Sequence, residues 1–184
     1  SDVILPAANT VGELYSRGRL DKTERAFLLN VVMELVDLAK FNVRPVERKP
    51  NASSLCVAGS GDKAILTKSA AVAFQILGWD SRYVGDIEEL IDPFFDIDFQ
   101  RYISHVWANK RGLMIICIFS SSEASLRFLS STANAMKGRL KGELRLGVSA
   151  TEELRQVAEE GSDYVAKDLL SLTEWAEREY NLVK

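Results

Sequence analysis

Residues 55–63 read Leu-Cys-Val-Ala-Gly-Ser-Gly-Asp-Lys, an apolar run that ends in Gly59-Ser60-Gly61 and passes straight into a helical pattern. Free backbone N–H groups at a helix N-terminus, with glycines that let a ligand approach, form a natural anion cradle. Ser60 adds a hydroxyl and Lys63 a positive charge. Asp62 brings a negative charge to the same place, or caps the helix instead. A second junction of this kind follows downstream. The apolar run Leu113–Phe119 ends in Ser120-Ser121-Ser122, with Ser125 one turn into the next helix. Hydroxyls and N–H groups together can surround a phosphate without a metal. Two such turns in one sheet predict a site for a phosphorylated small molecule.

Other phosphate signatures fit less well. A dinucleotide fingerprint needs a third small residue, which Ala64 supplies, and an acidic residue ending the second strand, which Asp86 supplies. It leaves the serine-rich second junction unexplained, so a nucleotide-binding protein stands third among the readings. The Walker pattern is absent, because no Gly-Lys-Ser/Thr follows at the required spacing.

The elements that must position these loops are legible from periodicity. Asp21 with Glu24 three residues later reads as a capping box. The apolar residues Phe27, Leu28, Val31, Val32, Leu35, Val36, Leu38 and Ala39 then recur at helical spacing with a broad face. Val11–Tyr15 predicts an earlier helical turn ended by Gly18, and 42–54, with Pro45 and Pro50, a connector. From there strands and helices alternate. Strands are expected at Leu55–Ala58, Ser81–Val84, Leu113–Phe119, Glu143–Val148 and Tyr164–Ala166. Helices are expected at Lys63–Leu77 with Gly78 as its stop, a short one after Gly85-Asp86 that bends at Pro93 into a second around Phe99–Ala108, Glu123–Lys137, Thr151–Glu160 with a Ser149/Thr151 cap, and Leu169–Leu182. The pattern implies one domain over residues 1–184, with a helical preface and connector at 1–50 and an α/β core at 51–184. The core is a three-layer αβα sandwich on a five-stranded parallel sheet of flavodoxin-like topology. Ligands of such sheets bind at the carboxyl ends of the strands near a topological switch point, where both serine junctions fall.

Composition narrows the partners. The chain is 47% apolar and 27% charged with a net charge of −3, which argues against nucleic acid. No apolar run approaches the ~18–20 residues that span a bilayer, and Ser1–Pro6 lacks the basic region of a signal peptide. A cytoplasmic location and no membrane partner are the expectations. Cys56 and Cys117 sit inside apolar runs and read as small buried hydrophobes. Two cysteines and one histidine, scattered, make no zinc site, and no cofactor is expected.

The order of elements and the loop residues resemble the sugar isomerase (SIS) domain family of phosphosugar-binding proteins. The family's Gly-x-Gly-x-Ser loop is matched by Gly59-Ser60-Gly61-Asp62-Lys63, with Lys63 in place of serine. Its Ser-x-Ser-Gly-x-Thr stretch is matched by Ser120 to Ser125, with Glu123 for glycine and Ser125 for threonine. Val148-Ser149-Ala150-Thr151 is similar to its next loop, and Ser162-Asp163-Tyr164-Val165 to the step before its fifth strand. The likeness runs from about Leu55 to the C-terminus, and in length the chain is most similar to 6-phospho-3-hexuloisomerases and phosphoheptose isomerases. It implies a phosphorylated sugar as ligand, held by Gly59, Ser60, Gly61, Lys63, Ser120, Ser121, Ser122, Ser125 and Ser149, and a homodimer or homotetramer. The family's Gly-Thr/Ser-x-x-Glu base and C-terminal histidine are missing.

Aldose–ketose isomerisation needs a base that moves a proton between adjacent carbons, and an acid near the carbonyl. Glu152 and Glu153 lie one turn beyond the fourth strand, where they read either as bases or as favourable charges at a helix N-terminus. His105 is the single histidine, on a helix with Tyr102 and Trp107. It serves a structural role or enters a neighbouring subunit's pocket. Asp92, Asp96 and Asp98, laced with Phe94, Phe95 and Phe99, suit a solvated bend better than a divalent ion. The function thus lies between a sugar-phosphate isomerase and a non-catalytic sensor or assembly subunit whose site is eroded by Asp62 and Glu123. For assembly, the face of Phe27–Ala39 and the aromatics Trp175 and Tyr180 would form the interface.

Overall fold

A computed structural model describes residues 4–43, 46–91, 94–107 and 111–184. Pro45, Asp92, Pro93 and Ala108 lie outside these residues. Strands β1 (Ala52–Ala58), β2 (Asp80–Asp86), β3 (Leu113–Ser120), β4 (Glu143–Ala150) and β5 (Tyr164–Val165) form one parallel sheet in the order β2-β1-β3-β4-β5. The helices are α1 (Ile4–Ser16), α2 (Lys22–Phe41), α3 (Ala64–Ile76), α4 (Phe95–Trp107), α5 (Glu123–Met136), α6 (Arg155–Gly161) and α7 (Leu169–Val183). This is the flavodoxin-like αβα sandwich expected from the sequence. The strand order reverses direction between β1 and β3, which sets the switch point at their carboxyl ends.

Strand β3 shows why the sheet lies in the middle. All eight of its residues are buried. Leu113, Ile115, Cys117 and Phe119 face the layer of α3 and α7, with Ala70, Phe74, Leu172 and Trp175. Met114, Ile116 and Ile118 face the other layer, where Ile103, Leu126, Leu129 and Ala158 of α4, α5 and α6 meet them. A strand covered on both faces loses the polar alternation of a half-exposed one. Cys56 and Cys117 are cross-strand partners, both free and fully buried. Burial, with Cys56 alongside, pushes the Cys117 thiol well above its ordinary pKa.

Sequence boundaries hold to a few residues, with informative departures. Helix α1 is far longer than the turn expected at Val11–Tyr15. Helix α4 begins at Phe95, four residues early, because Phe95 stacks on Phe99 at 5.9 Å and anchors its first turn. The helix expected at Thr151–Glu160 divides into a one-turn 3-10 helix at Glu152–Leu154 and α6, and no side chain caps it. Gly78 ends α3 with φ +88, as expected.

The expected interface needs correction. Trp175 and Tyr180 are not exposed: both are 6% accessible. Trp175 stacks on Tyr164 at 5.0 Å, and Tyr180 donates its hydroxyl to the Pro50 carbonyl. Gly147 makes the room, since a Cβ there would come within 2.9 Å of Leu172 and Trp175. On α2 only Val32 and Val36 are fully buried, whereas Phe27, Val31, Leu35 and Leu38 stay exposed. The capping box forms as expected, with Glu24 N–H donating to Asp21 and Asp21 N–H to Glu24. Helix α2 packs between α1 and α3, so the α1/α2 pair lies over the α3 layer.

Candidate functional site

The two serine junctions meet at the switch point. Gly59 N–H donates to the Phe119 carbonyl at 2.8 Å, which draws the end of β1 against the end of β3. The Ser60 and Ser121 hydroxyls lie 3.0 Å apart, and the Ser121 N–H donates to Ser60 Oγ at 2.9 Å. Space is tight at Gly59, where a Cβ would come within 3.0 Å of Ser120 and 3.3 Å of Leu129. At Gly61 a Cβ would stand 2.8 Å from Asp86 Oδ2.

The hydroxyls gathered there are spent on the protein itself. Ser120 is fully buried, accepting from Ser122 N–H and donating to the Ser122 carbonyl, both at 3.0 Å. Ser122 caps α5, accepting from the Ser125 N–H and from the buried Ser125 hydroxyl. Ser121 donates its hydroxyl to Asp62 Oδ1 at 2.6 Å, and Lys63 Nζ lies 3.2 Å from Asp62 Oδ2. An internal carboxylate thus takes the hydroxyl and the cation that a phosphate would seek. Partial burial alone would raise the pKa of Asp62. The hydroxyls of Ser121 and Ser60 and the charge of Lys63 outweigh that and hold it below the ordinary carboxylate value. Glu123 turns away to Arg127 at 2.8 Å, and Lys68 is engaged by Asp37 at 2.6 Å.

The remaining expected residues lie elsewhere. Ser149 is half-buried on β4, in register with Phe119, one strand beyond the switch point. Glu152 and Glu153 are exposed. Glu152 lines a separate cavity of about 260 Å³ between the ends of β4 and β5, and Arg155 lies 3.6 Å from it. The Glu153 carboxylate is held below its ordinary pKa by its own backbone N–H and the Thr151 hydroxyl. His105 is exposed near the C-terminal end of α4, the helix that leads to the start of β3, so it sits at the end of the sheet away from the serine loops. Asp96 accepts from Gln100 and from Thr132, tying α4 to α5, while Asp98 faces Arg101. Among the described residues no three His, Cys, Asp or Glu side chains converge as a metal site.

Open space lies on the other side of the first loop. A cleft of about 610 Å³ runs between the α1/α2 pair and the start of α3. Gly61, Asp62 and Lys63 form one wall, and Asn9, Glu13, Arg25, Asn30 and Met33 stand on the helical pair. Of the expected phosphate-site residues only Gly61 and Lys63 line it. The helical wall was not legible in the sequence, because isolated polar residues on an amphipathic helix carry no signal of what they face.

No protein-family model matches this chain, and no curated protein matches it in sequence. Its fold is similar to that of the monomethylamine corrinoid protein of Methanosarcina barkeri, with a TM-score of 0.58 at 11% identity. The match covers 97% of this chain and 80% of that one, so the helical pair is included along with the sheet. At that identity the likeness is one of fold, an α/β Rossmann-like sandwich.

Proposed function

We propose that this chain is a small-molecule-binding domain that takes a phosphorylated ligand, a sugar phosphate first, and holds it without turnover, as a sensor or assembly subunit. The observation that carries this is the cleft at the carboxyl end of β1, beside the switch point, with Arg25 and Lys63 on its walls. Its volume lies within the ~300–1,000 Å³ usual for small-molecule sites. Of the loop residues that resemble those of the SIS family, Gly61 and Lys63 line this cleft, and that partial likeness supports the sugar-phosphate class.

Binding without catalysis follows from the bases. Glu152, Glu153 and His105 do not line the cleft. Of the two carboxylates that line it among the described residues, Asp62 is engaged by Ser121 and Lys63, and Glu13 lies 3.7 Å from Arg17. Asp62, held below its ordinary pKa, is a weak base near neutrality.

The neighbour named a corrinoid protein raises cobalt chemistry, and the residues here do not fit a protein-ligated corrinoid. The one imidazole, His105, is at the far end of the sheet, and both thiols are buried within it. The exposed stripe of Phe27, Val31, Leu35 and Leu38 supports the homo-oligomer expected of a SIS-like protein.

The test is melting temperature against hexose and heptose phosphates, the unphosphorylated sugars, inorganic phosphate, nucleotides and hydroxocobalamin. A ligand at 100 times its Kd adds about 2.7 kcal/mol. A shift with a sugar phosphate and none with the bare sugar is expected. A shift with hydroxocobalamin alone, or with nothing, overturns the proposal.

A further inference from the structure

Among the described residues, Arg25 is the one cation lining the cleft that has no ion-pair partner. Lys63 is neutralised by Asp62 at 3.2 Å. The Arg25 guanidinium instead lies over the Tyr15 ring, with Cζ 4.9 Å from its centroid. Its Nε is buried and has no hydrogen-bond partner among the described residues. The residue as a whole is half-buried and lines the cleft, so the guanidinium is accessible there beyond its shielded Nε. The planar guanidinium fork matches a phosphate or carboxylate with two parallel hydrogen bonds. The Tyr15 ring beneath it favours this position of the guanidinium before a ligand arrives.

We infer that Arg25 is the anion receptor of the cleft, and that the ligand's phosphate or carboxylate sits against α2 rather than in the serine loops. This rests on the ligand-binding reading above. The rest of the lining describes the ligand's body. Asn9 and Asn30 offer amide donors and acceptors on the helical wall that also carries Arg25, and Asp62 on the other wall retains acceptor capacity for hydroxyls. Leu29 and Leu66 supply apolar contact. A polyhydroxylated monoester or acid, with anion and hydroxyls at opposite ends, fits that distribution.

The experiment follows the arginine side-chain Nε–H resonances of the full chain by NMR during titration with inorganic phosphate, fructose 6-phosphate and gluconate. Arg25 Nε–H should move saturably with fructose 6-phosphate. Movement with gluconate as well would widen the ligand class to carboxylates and support the same receptor. Arg25→Gln should weaken fructose 6-phosphate binding roughly ten- to a hundredfold, with Arg25→Lys recovering part of it. Saturable shifts at the Ser60 and Ser121 amides with Arg25 Nε–H unmoved would overturn the inference and leave ligand binding standing. Shifts with none of the three would overturn both. The titration of the unsubstituted chain decides the matter even where Arg25→Gln fails to fold.

Discussion

The Ser60 and Ser121 hydroxyls touch at 3.0 Å across a sequence separation of 61 residues, directly over the point where the sheet's strand order turns. The pair joins the ends of the two central strands, and Asp62 closes the cluster through Ser121. The first prediction concerns the tightness of that junction. Gly59→Ala places a methyl group 3.0 Å from Ser120, itself fully buried. We expect a loss of about 1–3 kcal/mol in urea unfolding. A stability equal to that of the unsubstituted chain would show that the loops separate easily.

Asp62 makes stability depend on acid. Its pKa is depressed in the folded chain, so its contribution is fully present above the ordinary value of 3.8 and is lost as pH falls through the lower folded value. The side chain is 48% exposed, so the effect should stay below about 1 kcal/mol. Asp62→Asn should therefore flatten the fall in stability between about pH 5 and pH 2. Urea unfolding across that range would read it, and a slope identical in the two proteins would contradict the hydrogen-bonding assigned to Asp62.

How much of this was legible beforehand depends on the range of the interaction. The apolar runs at 55–58 and 113–119 announced the two central strands, and Asp21 with Glu24 announced the start of α2, because strand burial and helix capping are local rules. That the serines would be spent on one another was not legible. A Ser-rich turn reads the same whether its hydroxyls meet a ligand or a second turn 61 residues away. Trp175 and Tyr180 were misplaced for the same reason. Their helical spacing is amphipathic, and which face is covered depends on distant residues such as Gly147, which leaves room for Trp175, and Pro50, which accepts from Tyr180. Arg25 gave no signal at all, since its importance lies in the partner it lacks.

The capping box links a local feature to the cleft. Asp21 starts α2 one turn before Arg25, whose N–H donates to the Asp21 carbonyl at 3.0 Å. Asp21→Ala should cost about 1 kcal/mol. It should also weaken fructose 6-phosphate binding, because the first turn that carries Arg25 frays. Calorimetry on the variant tests both, and unchanged affinity with lowered stability would separate the cap from the site.

The stripe on α2 predicts a change of mass without a change of fold. Phe27 and Leu35 are 66% and 47% exposed, so Phe27→Ser with Leu35→Ser should alter the stability of the single chain by no more than about 0.5 kcal/mol per site. In sedimentation the pair of substitutions should convert an oligomer to a monomer. A substituted protein of unchanged mass would place the interface elsewhere.

Cys56 and Cys117 give the molecule an internal timekeeper. They stand side by side in the two central strands and are out of solvent's reach. A thiol reagent can label them only when the middle of the sheet comes apart. The labelling half-life is thus set by the rarest opening of the chain rather than by fraying at α1 or α2. Any ligand that clasps the native state should lengthen it.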